Sequence, residues 1–321
     1  MNIIQTTAAH KEELILESDK SAESSYEGYG LSKRIRILFE IAKIRITVLV
    51  AFTTGLGYIL AAENLTSFSL FPVAGIFLLA CSAAALNHYQ ERRTDILMDR
   101  TKNRPIPSGV VSSKSVLLIS LAFLITGCAV LILKSNPLTL GIGLLTLFWY
   151  NAVYTPLKKV FSLAIIPGSL VGALPPLAGW VAAGGYVFDP KILLISSYFF
   201  VWQIPHFWIL LLIYGKDYDK GGFPTLTNVF TNRQLKNITF TWITLTIVMA
   251  LSINFFGIMN YYVSNIILIV LCIWLFGESL KFLRPDDDKS VNKNMFIRIN
   301  IFTLLIITVL SLDKLFKLFL S

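Results

Sequence analysis

Four oxygen-bearing side chains recur at every fourth position where an apolar stretch gives way to charge: Asn87, Glu91, Asp95 and Asp99, within the segment 87–105 that also holds Arg92, Arg93, Arg100, Thr101, Arg104 and Pro105. A spacing of four predicts one stripe of a helix, from which the oxygens can converge on one object. Three carboxylates so placed repel one another by roughly a few tenths of a kcal/mol per adjacent pair unless positive charge sits among them. A hard divalent cation such as Mg²⁺ suits this set, because it takes carboxylate and carbonyl oxygens together with substrate phosphates and water. The same residues beside four arginines also describe a solvated, salt-bridged helix end, and spacing alone does not separate the two.

A second acidic group, Lys216-Asp217-Tyr218-Asp219-Lys220-Gly221-Gly222, follows a later apolar run just as the first follows its own. The two are expected to face each other across one cavity and hold metal between them, since carboxylates at membrane depth or its edge are functional by default. Gly221 and Gly222 permit a close backbone approach, and Pro224 ends any helix. Between the acidic groups lies Trp149-Tyr150-Asn151-Ala-Val-Tyr154-Thr155-Pro156-Leu-Lys158-Lys159. Its lysines fit a diphosphate leaving group, whose oxygens gain negative charge as it departs; they equally fit a topogenic pair beside interfacial aromatics. Trp202-Gln203-Ile-Pro205-His206-Phe207 precedes Asp217 by about 16 Å of helix. His206 is read either as a contact to a porphyrin or as a bond to a neighbouring carbonyl, and His88 as a structural residue off the stripe. Gly168 and Gly172 read as a helix contact.

The elements that must carry these residues are membrane helices. Of the 321 residues 55% are hydrophobic and 15% charged, with a mean hydropathy of +0.67. Continuous apolar runs predict nine spans, near 38–61, 69–90, 115–133, 137–155, 163–184, 192–214, 237–257, 262–280 and 297–316. Continuity excludes a β-barrel, whose strands alternate. Expected, then, are a polar flexible tail over 1–34 without a signal peptide's apolar core, and one all-α domain over 35–321, a nine-helix bundle with a central cavity open to the inner face. Cys81, Cys128 and Cys272 lie singly in apolar runs and read as core residues. The net charge of +9 is topogenic: with the amino terminus inside, 24 of the 28 Lys and Arg fall on inner segments, leaving only Lys134, Lys191, Lys314 and Lys317 outside. Nothing resembles a nucleic-acid module.

Taken in order, the 87–105 run, Tyr154-Thr155-Pro156-Leu157-Lys158-Lys159, Gly172-Ala-Leu-Pro175-Pro176-Leu-Ala-Gly179-Trp180, Trp202 to Phe207 and Asp217 to Gly222 resemble the protoheme IX farnesyltransferase (heme O synthase) family. That family is a branch of the intramembrane prenyltransferases that include 4-hydroxybenzoate polyprenyltransferase. The resemblance covers about 43–224. It implies transfer of the farnesyl group of farnesyl diphosphate to a vinyl group of heme B, with water added, assisted by Mg²⁺. It also implies that Asn87, Glu91 and Asp95 form a first metal and diphosphate motif and Asp217 a second, all four catalytic. Further substrate-binding candidates are Lys43, Arg45, Asp99, Arg100, Thr101, Arg104, Tyr154, Lys158, Lys159, His206, Lys216 and Tyr218. Trp149, Tyr154 and Tyr218 are expected to shield a carbocation. The positive-inside pattern suits a bacterial inner membrane with a cytoplasmic amino terminus, an organellar inner membrane being the alternative; heme A synthase or terminal-oxidase assembly factors are the implied partners.

The sequence departs from the family's pattern at Glu91, commonly Asp, at Gly221, commonly Ala, and at Val160-Phe161-Ser162-Leu163-Ala164, which replaces an Arg-Thr and Asn pattern. A quinone precursor such as 4-hydroxybenzoate is the alternative acceptor, against which Arg100-Thr101 and Trp202 to Phe207 fit the heme branch better. A cation-coupled transporter is the remote alternative; it would place its carboxylates near mid-membrane rather than at one face.

Overall fold

A span in hydrocarbon must close its own backbone hydrogen bonds, so unbroken apolar runs resolve into helices. The computed structural model describes residues 29–283 and 289–320; residues 1–28, most of the expected tail, lie outside them. The chain enters as α1 (Leu31–Ile41) and continues as α2 (Ile44–Ala61), α3 (Leu70–Asp95), α4 (Ser113–Lys134), α5 (Pro137–Phe148), α6 (Leu170–Ala182), α7 (Pro190–Lys220), α8 (Asn232–Ser252), α9 (Tyr262–Phe282) and α10 (Lys289–Leu320). Among the described residues nine helical segments are long and apolar enough to cross a membrane: those of α2 onward, with α5 continued through Leu157 and α6 preceded by helix from Ile165. The protein is a multi-pass integral membrane protein.

Two boundaries differ from expectation. Helix begins at Leu31, inside the stretch expected to be tail, because Leu31, Ile35 and Phe39 present one exposed apolar side while Ile37 and Ile41 bury the other. Lys43 then breaks α1 from α2 with a left-handed backbone, φ 47°. That conformation costs a non-glycine residue roughly 1–2 kcal/mol, and the hydrogen bond its side chain makes with Asn87 helps to hold it. Helix starts are marked locally. Asn136 caps α5, which has Pro137 at its first turn; Asp189 caps α7 ahead of Pro190; Thr231 and Gln234 form a reciprocal capping box at α8.

The spans form a ring in which α5 to α10 neighbour one another in order and α10 returns to α2 and α7, while α3 joins α2, α4 and α5. The short α6 lies against α2 across the middle. There the backbones meet: a Cβ on Gly57 would collide with the Pro176 carbonyl, and one on Gly179 with that of Thr54. Gly168 and Gly172 make room instead for side chains, Tyr154 and Gln203 respectively. Cys81 and Cys272 are buried, as core residues should be, while Cys128 is half-buried.

Candidate active site

The last two turns of α3 bury Asn87, Glu91 and Asp95, which are 0%, 5% and 0% exposed. Burying carboxylates is costly without compensation, and each acceptor has a cation. Lys43 donates to Asn87 Oδ1 (2.5 Å), Lys158 pairs with Glu91, and Arg104 donates through one nitrogen to both Asp95 oxygens (2.9 and 2.7 Å). Two carboxylates therefore face three basic side chains, a set that carries surplus positive charge when Lys43 is protonated and so suits an anionic ligand. Burial, followed by the Arg104 charge, pushes the Lys43 amine down to about 7. Burial also disfavours the charged form of Lys158, yet the adjoining Glu91 carboxylate outweighs it and holds that lysine above its usual range.

Asn87 is oriented from its other side. Its amide donates to Thr155 Oγ1 (3.1 Å), and Thr155 donates to the carbonyl of Tyr150 (2.9 Å). This is possible because α5 widens into a π-helical turn over Trp149–Tyr154 before Lys158, a local device that re-aims side chains. Tyr150 and Tyr154 stack at 5.9 Å, and the Lys158 ammonium lies 5.2 Å from the Tyr154 ring centre.

The expected stripe of four stops at three. Helix α3 ends at Asp95, where the Thr101 hydroxyl takes the Asp95 carbonyl (2.9 Å) and leaves no continuation for Asp99. Asp99 is exposed and pairs with Lys102 and Lys220, whose hydrogen bonds draw its carboxyl down to about 2. Asp217 makes a contact that the sequence does not show. Its oxygens accept the backbone N–H groups of Asp99 (2.7 Å) and Arg100 (3.3 Å), so the second acidic group meets the first by fastening the loop after α3. Among the described residues no three His, Cys, Asp or Glu side chains converge closely enough to hold one metal ion.

The other candidates spread around this end of the bundle. Arg100 donates to the Tyr218 hydroxyl (3.3 Å) and lies over the Tyr214 and Tyr218 rings, while Arg45, Lys159 and Lys216 are exposed. Asp219 accepts from Thr225 and Asn228. Of the expected shielding aromatics, Trp149 is engaged with the Pro167 carbonyl (2.8 Å). Tyr154 and Tyr218 line a recess of about 80 Å³ that Lys158 and Phe223 share.

A separate apolar cavity of about 190 Å³ runs inward from Lys43 between α2, α3, α5, α6 and α7. Its walls include Val50, Ile76, Leu79, Leu147 and Val171; its polar lining includes Tyr150 and Gln203. Positions four apart on α7 share a face, and the Trp202 to Phe207 segment divides accordingly. Gln203 and Phe207 face the cavity. Trp202 donates to the Ile299 carbonyl (3.3 Å) and the His206 ring lies 4.8 Å from that of Phe296, both on α10. His206 lines neither cavity nor recess. His88 meets the Glu40 carbonyl (3.3 Å), the structural role expected of it.

Residues 50–303 match the model of the UbiA prenyltransferase family. The chain belongs to that family. It is 35% identical over 282 residues, 86% of this chain and 92% of the relative, to a protoheme IX farnesyltransferase of Christiangramia forsetii. To that of Cytophaga hutchinsonii it is 36% identical over 200 residues, 61% of this chain and 69% of the relative. The fold is that of a UbiA homolog from Archaeoglobus fulgidus solved with DMAPP and Mg²⁺, at a TM-score of 0.66, 14% identity and coverage of 86% and 98% of the two chains.

The departure from the UbiA-family branch's pattern after Lys159 falls at the recess, where Phe161, Ser162 and Ala164 form part of the wall. The edge beside Lys158 is therefore largely apolar in this chain. Tyr150 and Thr155 had no distinguishing signal in the sequence, because their positions depend on the π turn.

Proposed function

We propose that this chain transfers the farnesyl group of farnesyl diphosphate to a vinyl group of heme B, giving heme O. The observation that carries the reading is the junction of an apolar cavity with a buried cluster of cations and acceptors, Lys43, Lys158 and Arg104 against Asn87, Glu91 and Asp95. An isoprenyl diphosphate has that duality: a chain for the cavity and an anion for the cluster. The choice of farnesyl and heme is supported by the names of the relatives.

The donor set fits Mg²⁺, since Glu91 and Asp95 offer carboxylate oxygens and Asn87 an amide oxygen from one face of α3, and the two carboxylates already hold cations. Bound there with the diphosphate, Mg²⁺ would supply Lewis-acid neutralisation of the leaving group. Lys43, Lys158, Arg104 and Arg100 offset the charge that grows on the diphosphate as its carbon–oxygen bond lengthens. Asp217 keeps Arg100 in place through the loop. Tyr150 offers the allylic cation a π face and the apolar wall excludes water from its chain.

The distribution of Lys and Arg supports a mouth on the inner, cytoplasmic side of the membrane. The test is the purified protein in lipid nanodiscs with heme B, farnesyl diphosphate and Mg²⁺, read by product mass. Farnesylated, hydrated heme that disappears on chelation is the expected result; prenylated 4-hydroxybenzoate, with heme untouched, would replace the acceptor assignment.

A further inference from the structure

The helix that precedes the first span has two apolar sides, and the bundle covers one of them. Residues four apart form a row along one side of a helix. In α1 the row of Ile37 and Ile41 packs into a buried cluster with Ala85, Ile106, Val111 and Val116, at the end of α3 and in the loop that follows it. The row of Leu31, Ile35 and Phe39 is exposed, at 75%, 43% and 51%. Beside that row stands Arg36 and, one row further round, Lys33, both exposed; Arg34 is half-buried and Glu40 is the one acid of the helix. With eleven residues α1 is too short to span a bilayer. The left-handed turn at Lys43 keeps it from prolonging α2, which enters the bilayer at Ile44. It therefore lies at the inner boundary of the membrane. An exposed apolar row flanked by basic side chains fits the headgroup zone of a leaflet, with Leu31, Ile35 and Phe39 among the upper acyl carbons and the cations among phosphates.

We propose that α1 docks on the anionic phospholipids of the inner leaflet and that this contact sets the place of Lys43 in the active site. Three links join that surface to the site. Lys43 follows α1 after Ala42 alone and donates to Asn87 Oδ1 (2.5 Å). The Glu40 carbonyl meets the ring of His88, the residue after Asn87 (3.3 Å). The buried row touches Ile106, two residues after Arg104. A helix seated by lipid on one side thus grips, on its other, the turn of α3 that carries Asn87 and the loop that carries Arg104. In a neutral leaflet Lys33 and Arg36 lose their phosphate partners, α1 leaves its seat more often, and Lys43 spends less time on Asn87. The lipid contact stands apart from the farnesyl-to-vinyl reading; the effect of Lys43 on the diphosphate rests on that reading's placement of the diphosphate.

The full chain and two variants, Lys33→Gln/Arg36→Gln and Leu31→Ser/Ile35→Ser/Phe39→Ser, are placed in nanodiscs of phosphatidylcholine alone or mixed with phosphatidylglycerol. Hydrogen exchange over 31–43 and the Kd for farnesyl diphosphate with Mg²⁺ are measured in each. Wild-type exchange over 31–43 is expected to be about tenfold slower in the anionic discs than in the neutral ones. Lys33→Gln/Arg36→Gln loses that difference, and the triple serine variant exchanges fast in both lipids. In anionic discs Lys33→Gln/Arg36→Gln should weaken the Kd about fivefold, while in neutral discs the two proteins agree within about twofold. Comparing proteins in one lipid cancels the repulsion between an anionic surface and the diphosphate. Exchange equally slow in both lipids assigns the exposed row to a protein surface, in this chain or a second copy, and overturns the docking; exchange equally fast in both overturns it too. Lipid-dependent exchange with equal Kd values for wild type and Lys33→Gln/Arg36→Gln in anionic discs overturns the link to Lys43. Product mass after adding heme B is read in parallel: no farnesylated heme, with the exchange and Kd differences present, overturns the acceptor reading and upholds the docking.

Discussion

At the end of α3, Glu91 and Asp95 are buried and each holds a cationic side chain; at the end of α7, Asp217 binds two backbone N–H groups and Asp219 binds Thr225 and Asn228. The sequence presents the two ends as equivalents, acidic pairs after apolar spans on one side of the membrane. Their partners make them different. A carboxylate held by a flexible lysine or arginine can exchange that partner for a ligand, whereas one that satisfies backbone donors also holds a loop in place. The first end is where chemistry is expected, and the second sets the position of Arg100.

The largest effect should follow Asp95→Asn, which removes charge from the α3 cluster without removing volume. Heme farnesylation is expected to fall about a thousandfold, with the melting profile in detergent still cooperative; full retained activity would remove Asp95 from the reaction. Lys158→Met should lower turnover about a hundredfold and also lower the melting temperature, because Glu91 is then buried without its cation. Adding Glu91→Gln to that variant is expected to recover the melting temperature and none of the turnover. Asp217→Asn should cost only about tenfold, as one acceptor oxygen is kept; hydrogen exchange over 96–104 should speed up. An Asp217→Asn loss as deep as that of Asp95→Asn, with loop exchange unchanged, would erase the distinction between the two ends. The smallest effect is assigned to Asp99→Asn, below about twofold in rate, since its pairs with Lys102 and Lys220 are solvent-exposed.

Hydropathy made the nine spans legible because bilayer thickness fixes their length and a helix is the available solution. It also placed the acidic groups, the Lys158 pair and the Trp202 to Phe207 segment near one another. What it could not carry were the places where tertiary bonds override periodicity. Thr101 ends α3 at Asp95, so a spacing of four ceases to mean a shared face at Asp99. Lys43 reaches Asn87 only through a left-handed turn, and Tyr150 enters the cavity only through a π turn. The partition of Gln203 from His206 was available in principle, since residues one helical turn apart share a side, but which side met the cavity depended on where α10 sits.

The seat of α6 on α2 has a consequence for how an occupant of the apolar cavity could be lengthened. With Gly57 and Gly179 bringing two main chains into touch, these helices have no side-chain layer between them to trim and no slack along which to slide. Under the proposed function, extra length for a longer tail is carved instead from side chains that do line the cavity, Ile76 and Leu79, which crowd against Gly143. On that reading those two side chains are the adjustable stop of an otherwise rigid gauge.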